Sequence, residues 1–242
     1  MQRARRFLLV IVLLALLGGT YLIVRMQSSL TAHDGKLVKM WGPFSVRTIA
    51  EDGHFVEAKG VGRRAFLTYP SVLGDTLSQS LDVWVCSADG IIIKRMHFEG
   101  QLFDSATSMV RAQWSGENSL VAEGHINPTT SRYFVVSVRD GAISGYTGSE
   151  FALSPDGNTA AYVQRPAHFS PNARDCRLLV GHKVLIAMTE PPNSSATIYW
   201  AEDSSSFVVV FSSPSERRSF VASVNQQGEW QGQLYLLGGI QP

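Results

Sequence analysis

The histidines of this 242-residue chain are scattered along the sequence. No two lie at a metal-ligand spacing such as H-x-x-x-H, so the sequence predicts neither a zinc nor an iron site. We expect each histidine to be a surface or loop residue. The six are His33, His54, His97, His125, His168 and His182.

Signatures of a nucleophile or a phosphate site are equally lacking in the sequence. It contains no G-x-S-x-G elbow and no glycine-rich phosphate loop. Serine clusters such as 204–206 and 212–213 are typical of turns and strand ends. The sequence therefore predicts no catalytic residue, no cofactor and no metal. A hydrolase triad stays open as an alternative, because its members can be distant in sequence.

The two cysteines, Cys86 and Cys176, are too few for a disulfide scaffold and have no metal-ligand spacing. Each falls in a predicted β-strand, and those strands belong to nonadjacent units of the repeat described below. Such strands should hold the two Cα atoms beyond the roughly 7 Å that a disulfide allows. We therefore expect two reduced or buried thiols.

Trp230 is the candidate binding residue among the five tryptophans. Tryptophans that alternate with apolar residues, as Trp84 does, are expected to fill spaces between sheets. Trp230 instead stands between Glu229 and Gln231, a polar setting that favours an exposed aromatic side chain. It is predicted to be available for binding.

Composition limits the class of protein. Hydrophobic residues make up 45% and charged residues 17% of the chain, which is a globular composition rather than a disordered one. The net charge is +1. A nucleic-acid-binding domain would need a strongly basic face, so nucleic acid is not an expected partner.

The amino-terminal residues resemble a membrane signal-anchor. Three arginines precede an apolar run over 7–24 that carries no charge, and 18 residues of helix approach the thickness of a bilayer. The side chains expected to contact lipid are Phe7, Leu8, Leu9, Val10, Ile11, Leu13, Leu14, Leu17, Tyr21, Ile23 and Val24. A cleaved signal peptide is the alternative, but no A-x-A-like site follows the run.

Three regions follow from this segment. Residues 1–27 are expected to form a cytoplasmic tip and a transmembrane anchor, and residues 28–39 a polar tether without periodicity. Residues 40–242 should form the exported domain, because the basic end of a membrane segment stays in the cytoplasm. The bulk of the chain would then be periplasmic or extracellular.

The exported region is predicted to be all-β, and its clearest hairpin spans 151–163. Phe151 and Leu153 alternate toward one face, Pro155 presets φ in the turn, and Gly157 can adopt a positive φ. Short apolar runs separated by Gly, Asp, Asn and Ser continue on both sides of it.

This pattern recurs four times. The strand after the turn lies at 64–69, 119–123, 159–163 and 206–211. The next strand, with its hairpin turn, lies at 82–90, 132–141, 176–182 and 219–228. A closing strand lies at 91–96, 142–146, 184–188 and 230–236. Three successive repeats start 40 and 47 residues apart, which is the length of a four-stranded propeller blade.

The third repeat resembles the WD40-like β-propeller repeats of TolB-type proteins. Its matching residues are Ser154, Pro155, Asp156, Gly157, Ala161 and Tyr162, whereas the other repeats are degenerate. The resemblance covers roughly 54–237 and implies a propeller-like fold of about four blades, in an open arc or a small ring, after one transmembrane helix. Residues 40–53 would complete the last blade or begin a fifth. A different β-sandwich is the alternative fold.

TolB-type domains act as interaction platforms, so the resemblance implies a membrane-anchored envelope protein that binds another envelope protein through its exported domain. Two alternatives stay open. One is a hydrolase or lyase acting on a glycan or peptide at the propeller mouth, which requires titratable side chains converging in a cleft. The other is a small-ligand sensor, which requires a deep apolar pocket.

Overall fold

The computed structural model describes residues 27–69, 80–99, 108–127, 130–166, 175–190, 194–214 and 217–236. Over these ranges the chain forms nineteen β-strands, as the all-β prediction requires. The anchor residues predicted between Phe7 and Val24 lie outside the described ranges. Within those ranges, no helix is long and apolar enough to cross a membrane.

The chain divides into two compact units, Met1–Phe98 and Glu99–Pro242. The first unit contains a three-stranded and a four-stranded antiparallel sheet. The three strands are β1 (Ser28–His33), β2 (Lys36–Trp41) and β3 (Phe44–Glu51), and the four are β4 (Phe55–Gly60), β5 (Arg63–Thr68), β6 (Ser80–Ser87) and β7 (Ile92–Glu99). Their shared core is built from Leu30, Leu37, Phe66, Trp84 and Cys86.

The prediction of a tether over 28–39 is wrong. These residues form β1 and most of β2, which pair in an antiparallel ladder. Leu30 and Leu37 are fully buried although their neighbours are largely polar. Each of these strands contributes few apolar side chains to the core, so periodicity alone could not distinguish it from a linker. Residues 44–51 add β3 to the same sheet, so the 40–53 segment belongs to a fifth sheet and does not complete the sheet of the fourth repeat.

The second unit contains three four-stranded antiparallel sheets, each with its strands in sequence order. The first has β8 (Ser108–Ser115), β9 (Ser119–Asn127), β10 (Thr130–Ser137) and β11 (Ile143–Gly148); the second has β12 (Glu150–Leu153), β13 (Ala160–Gln164), β14 (Asp175–Val180) and β15 (Lys183–Thr189); the third has β16 (Ser195–Trp200), β17 (Ser206–Ser212), β18 (Arg217–Val224) and β19 (Trp230–Leu236).

The fourfold repeat is confirmed at the level of these sheets. Each predicted unit coincides with one four-stranded sheet, and the three recurring strands of each unit coincide with its second, third and fourth strands. A four-stranded antiparallel meander is the organisation of one propeller blade.

Strand alternation builds the core of the second unit. On β17, Phe207, Val209 and Phe211 are buried, whereas Val208 and Val210 lie on the other side of the sheet and are only partly buried. The buried side chains join those of the β12–β15 sheet in one apolar cluster. The two sheets therefore pack face to face, as apolar faces of neighbouring sheets must.

Candidate functional site

The Ser154–Gly157 turn, which carries the recognisable repeat motif, is held by its own polar side chains. Ser154 Oγ donates to Asp156 Oδ1 at 2.5 Å, and the same carboxylate oxygen accepts from the backbone N–H of Asn158 at 3.2 Å. Burial opposes ionisation of Asp156, but hydrogen bonds from Ser154 and Asn158 outweigh it and lower the pKa of the carboxyl. This pattern stabilises the turn.

The same turn connects three sheets of the second unit. The backbone N–H of Asp156 donates to Ser204 Oγ at 3.1 Å, in the turn before β17. Gly157 lies so close to β9 that a Cβ atom there would be 2.6 Å from Ser119 Oγ. The motif is therefore architectural, since it fixes the spacing between neighbouring sheets.

At the opposite end of the β12–β15 sheet, Arg165 lies between two carboxylates. Its Nε and Nη2 donate to Glu190 Oε2 and Oε1 at 2.6 and 2.7 Å, a bidentate pair. Its Nη1 donates to both oxygens of Glu150, at 2.7 and 2.6 Å, and also to Ser149 Oγ. We call Glu150, Arg165 and Glu190 the ion triad.

The ion triad is largely withdrawn from water. The side chain of Glu190 is 5% exposed and that of Arg165 is 15% exposed. Burial disfavours the guanidinium ion, but the hydrogen bonds and charges of Glu190 and Glu150 outweigh it and keep the pKa of Arg165 above its ordinary value. The triad joins the start of β12, the end of β13 and the end of β15, so it clamps three strand ends.

A cleft of about 620 Å³ opens beside the ion triad. Its lining residues are Gln164, Arg165, Pro166, Asp175, Cys176, Arg177, Ala187, Met188 and Thr189. Burial, reinforced by the charge of Glu190, raises the pKa of Cys176 to about 12, so this thiol is not a nucleophile near neutral pH. Thr189 donates to Asp175 at 3.2 Å.

Among the described residues of the cleft, no arrangement specifically supports acid–base catalysis. The donors of Arg165 are directed at its two carboxylates, and the thiol is protonated. The hydroxyl–carboxylate contact between Thr189 and Asp175 is exposed, and no observation among the described residues assigns it a catalytic role or favours the hydrolase or the lyase. The ion triad was missed from sequence because Glu150, Arg165 and Glu190 are 15 and 25 residues apart and match no motif.

The face of the β16–β19 sheet that lies opposite the apolar cluster is partly open to solvent, and we call it the outward face. Two cross-strand rows form its centre. In the first row, Tyr199, Val208, Val221 and Gln233 are in register, and in the second row Thr197, Val210, Ser219 and Tyr235 are in register.

Aromatic and β-branched side chains dominate the outward face. Tyr199 is 59% exposed, Tyr235 44% and Val221 38%. Neither row contains a charged residue. The solvent face of an antiparallel sheet is usually polar, and depletion of charge with enrichment of tyrosine is typical of the core of a protein interface.

Trp230 is half-buried rather than exposed. Its ring lies 5.5 Å from that of Trp200 and 5.3 Å from that of Phe207, against the core of the second unit. The polar neighbours misled the prediction, because successive side chains of a strand point to opposite faces. Gln231 therefore gives no information about the surroundings of Trp230.

The structure also bears on the predictions made for the two cysteines and for metal ligands. Cys86 and Cys176 are free and buried, as predicted. Among the residues that the structure describes, no group of three or more His, Cys, Asp or Glu side chains could hold a metal ion. The anchor residues lie outside the described ranges, so their membrane role stays a prediction.

Neither a protein-family model nor a curated protein matches the chain. Several solved structures resemble it at low identity. A eukaryotic initiation factor gives a TM-score of 0.46 at 9% identity, over 87% of this chain and 52% of the other. TolB from Acinetobacter baumannii gives a TM-score of 0.34 at 12% identity, over 86% of this chain and 53% of TolB.

The β-propeller domain of the Trilobed protease from Pyrococcus furiosus gives a TM-score of 0.35 at 10% identity, over 89% of this chain and 69% of that domain. The chain thus spans about half the length of the initiation factor and of TolB. Similarity at these identities and TM-scores supports no conclusion about the activity or the partners of this chain.

Proposed function

We propose that this chain is a membrane-anchored envelope protein whose exported, propeller-like domain serves as a protein–protein interaction platform. The observation that carries the proposal is the outward face of the β16–β19 sheet. It presents Tyr199, Val221 and Tyr235 to solvent in two rows without charge. The proposed occupant is a folded envelope protein with an apolar surface of its own.

A protein partner fits this face better than a small ligand does. Small molecules bind in concave pockets that bury most of their surface, whereas the outward face is one side of a regular four-stranded sheet. Tyrosine supplies a large contact area with a polar tip, and such side chains are frequent among the residues that dominate interface energies. The valines of β17 and β18 would be covered at the centre of the contact.

The anchoring part of the proposal rests on the apolar run over 7–24. Arg3, Arg5 and Arg6 precede it and would remain on the cytoplasmic side. β1 begins at Ser28, four residues after Val24, so the β-domain would lie close to the outer surface of the membrane that the run spans.

A crosslinking pull-down of the full-length protein from its native membrane tests the platform. Wild type should recover one stoichiometric envelope protein, and the double variant Tyr199→Lys, Tyr235→Lys should lose it, because two buried charges would be left unpaired in the contact. Val184→Lys is the matched control, since Val184 is 45% exposed on β15, which belongs to a different sheet.

Circular dichroism of all three proteins establishes that the sheets remain folded. Recovery of the same partner by the double variant would exclude the outward face as the binding surface. Recovery of no partner by wild type, at a depth where known envelope complexes are seen, would exclude the platform itself.

A further inference from the structure

The hairpin between β2 and β3 ends in exposed apolar side chains. Trp41 and Phe44 are paired across a two-residue Gly42-Pro43 turn in which Gly42 has φ +57°, as the first position of a tight hairpin turn favours. Trp41 is 54% and Phe44 70% exposed, and Val46 beside them is 57% exposed. We call Trp41 to Phe44 the hairpin tip.

The hairpin tip lies at the end of the sheet where the chain enters it. Ser28, the first residue of β1, is the register partner of Trp41. Antiparallel partners have Cα atoms about 5 Å apart. The apolar run ends at Val24, and four extended residues span at most about 14 Å. Trp41 is therefore held near the end of the proposed membrane anchor.

We infer that the hairpin tip inserts into the interfacial layer of the membrane that the 7–24 run spans. The inference rests on the anchoring part of the proposed function. Tryptophan prefers the bilayer interface, where its ring is buried and its N–H remains hydrated. Lys39 and Arg47 pair across the same two strands, behind the tip, and their positive charges suit the headgroup region.

The geometry of β3 argues against a protein strand as the occupant. β3 is an edge strand of its sheet, which would ordinarily invite pairing. Its ladder with β2 is broken by register shifts between Leu37 and Val38 and again between Lys39 and Met40. Bulges of this kind hinder the pairing of an edge strand with a strand of another protein, so the hairpin tip, rather than the edge of β3, is available for contact.

Quenching by brominated lipid tests this inference on the full-length chain. The protein is reconstituted in phosphatidylcholine vesicles whose acyl chains carry bromine close to the headgroup. Wild-type tryptophan emission should be quenched, and Trp41→Phe should lose most of that quenching. Trp114→Phe, which alters a half-buried tryptophan of β8 in the other unit, should retain it. Carbonate flotation of the same vesicles reports anchoring independently.

The outcomes separate the two proposals. If the chain floats with the vesicles but Trp41→Phe is quenched as strongly as wild type, the anchor holds and the hairpin tip does not reach the bilayer. If Trp41 is shielded from aqueous iodide but not quenched by the lipid, a protein surface covers it and the inference is wrong. If carbonate releases the chain, the anchor fails and this inference fails with it.

Discussion

At the scale of single residues, Gly157 is constrained both by its backbone and by its surroundings. Its φ is +77°, and a Cβ atom would be 2.6 Å from Ser119 Oγ. Gly228 has the same φ of +77° but nothing within 4 Å of a Cβ. The two glycines therefore separate backbone strain from steric contact.

Gly157→Ala should lower the free energy of unfolding by about 2–4 kcal/mol, because strain and the contact with Ser119 act together. Gly228→Ala should cost only about 1 kcal/mol, from strain alone. Urea unfolding of the full-length chain in mild detergent measures both variants. If the two variants lost equal unfolding free energy, the contact between the added Cβ and Ser119 of β9 would be relieved without a cost in stability.

The ion triad supports a second prediction at this scale. Arg165→Met leaves the Glu190 carboxylate buried without a cationic partner, which should cost about 3–5 kcal/mol of stability. The double variant Arg165→Met, Glu190→Met should recover much of that loss, because it removes the uncompensated charge. The same unfolding measurement checks both.

Arg111→Met is the matched control for the ion triad. Arg111 pairs with Glu123, but its side chain is 68% exposed, so its loss should cost about 0–1 kcal/mol. If Arg165→Met cost no more than this control, Arg165 would be an ordinary surface ion pair rather than a clamp for the strand ends.

At the scale of elements, β17 has two sides with different roles. Phe207 is 1% exposed and packs in the core, whereas its neighbour Val208 belongs to the outward face. Phe207→Ala should therefore cost about 3–5 kcal/mol, as deletion of a buried aromatic ring does. Val208→Ala should change stability by less than about 1 kcal/mol. A large loss from both variants would show that the outward face is buried in solution.

The strands were predictable wherever the chain carries its own signal. On β17, the run of aromatic and β-branched residues from Phe207 to Phe211, bounded by serines, indicates a strand. β1 gives no such signal, because Leu30 is buried by residues supplied from other strands. Burial of a single leucine is a property of the packed sheets, so the local pattern could not reveal it.

The candidate site was less predictable than the fold for a related reason. The outward face exists only because Tyr199 and Val221 are brought into one row through Val208, across three strands. The ion triad likewise needs three strand ends at one edge of a sheet. Cross-strand register depends on turn lengths and bulges, which the residue pattern of a single strand does not contain.

At the scale of the whole molecule, cysteine labelling can test the proposed membrane orientation, because the two native cysteines should not react with the label. Cys86 is fully buried and Cys176 is 1% exposed. Burial raises the pKa of these thiols to about 11 and about 12, so neither offers an accessible thiolate near neutral pH. Wild type should therefore resist a membrane-impermeant maleimide in spheroplasts.

Val61→Cys places a thiol in the turn between β4 and β5, where Val61 is 102% exposed. If Lys and Arg retain the amino terminus in the cytoplasm, this thiol lies outside the membrane and should be labelled in intact spheroplasts. Gln2→Cys is the matched control and should be labelled only after lysis. Labelling of Val61→Cys only after lysis would place the β-domain on the cytoplasmic side and would contradict its export. Labelling of both variants in intact spheroplasts would instead mean that the basic amino terminus is not retained, so the apolar run would not span the membrane as proposed.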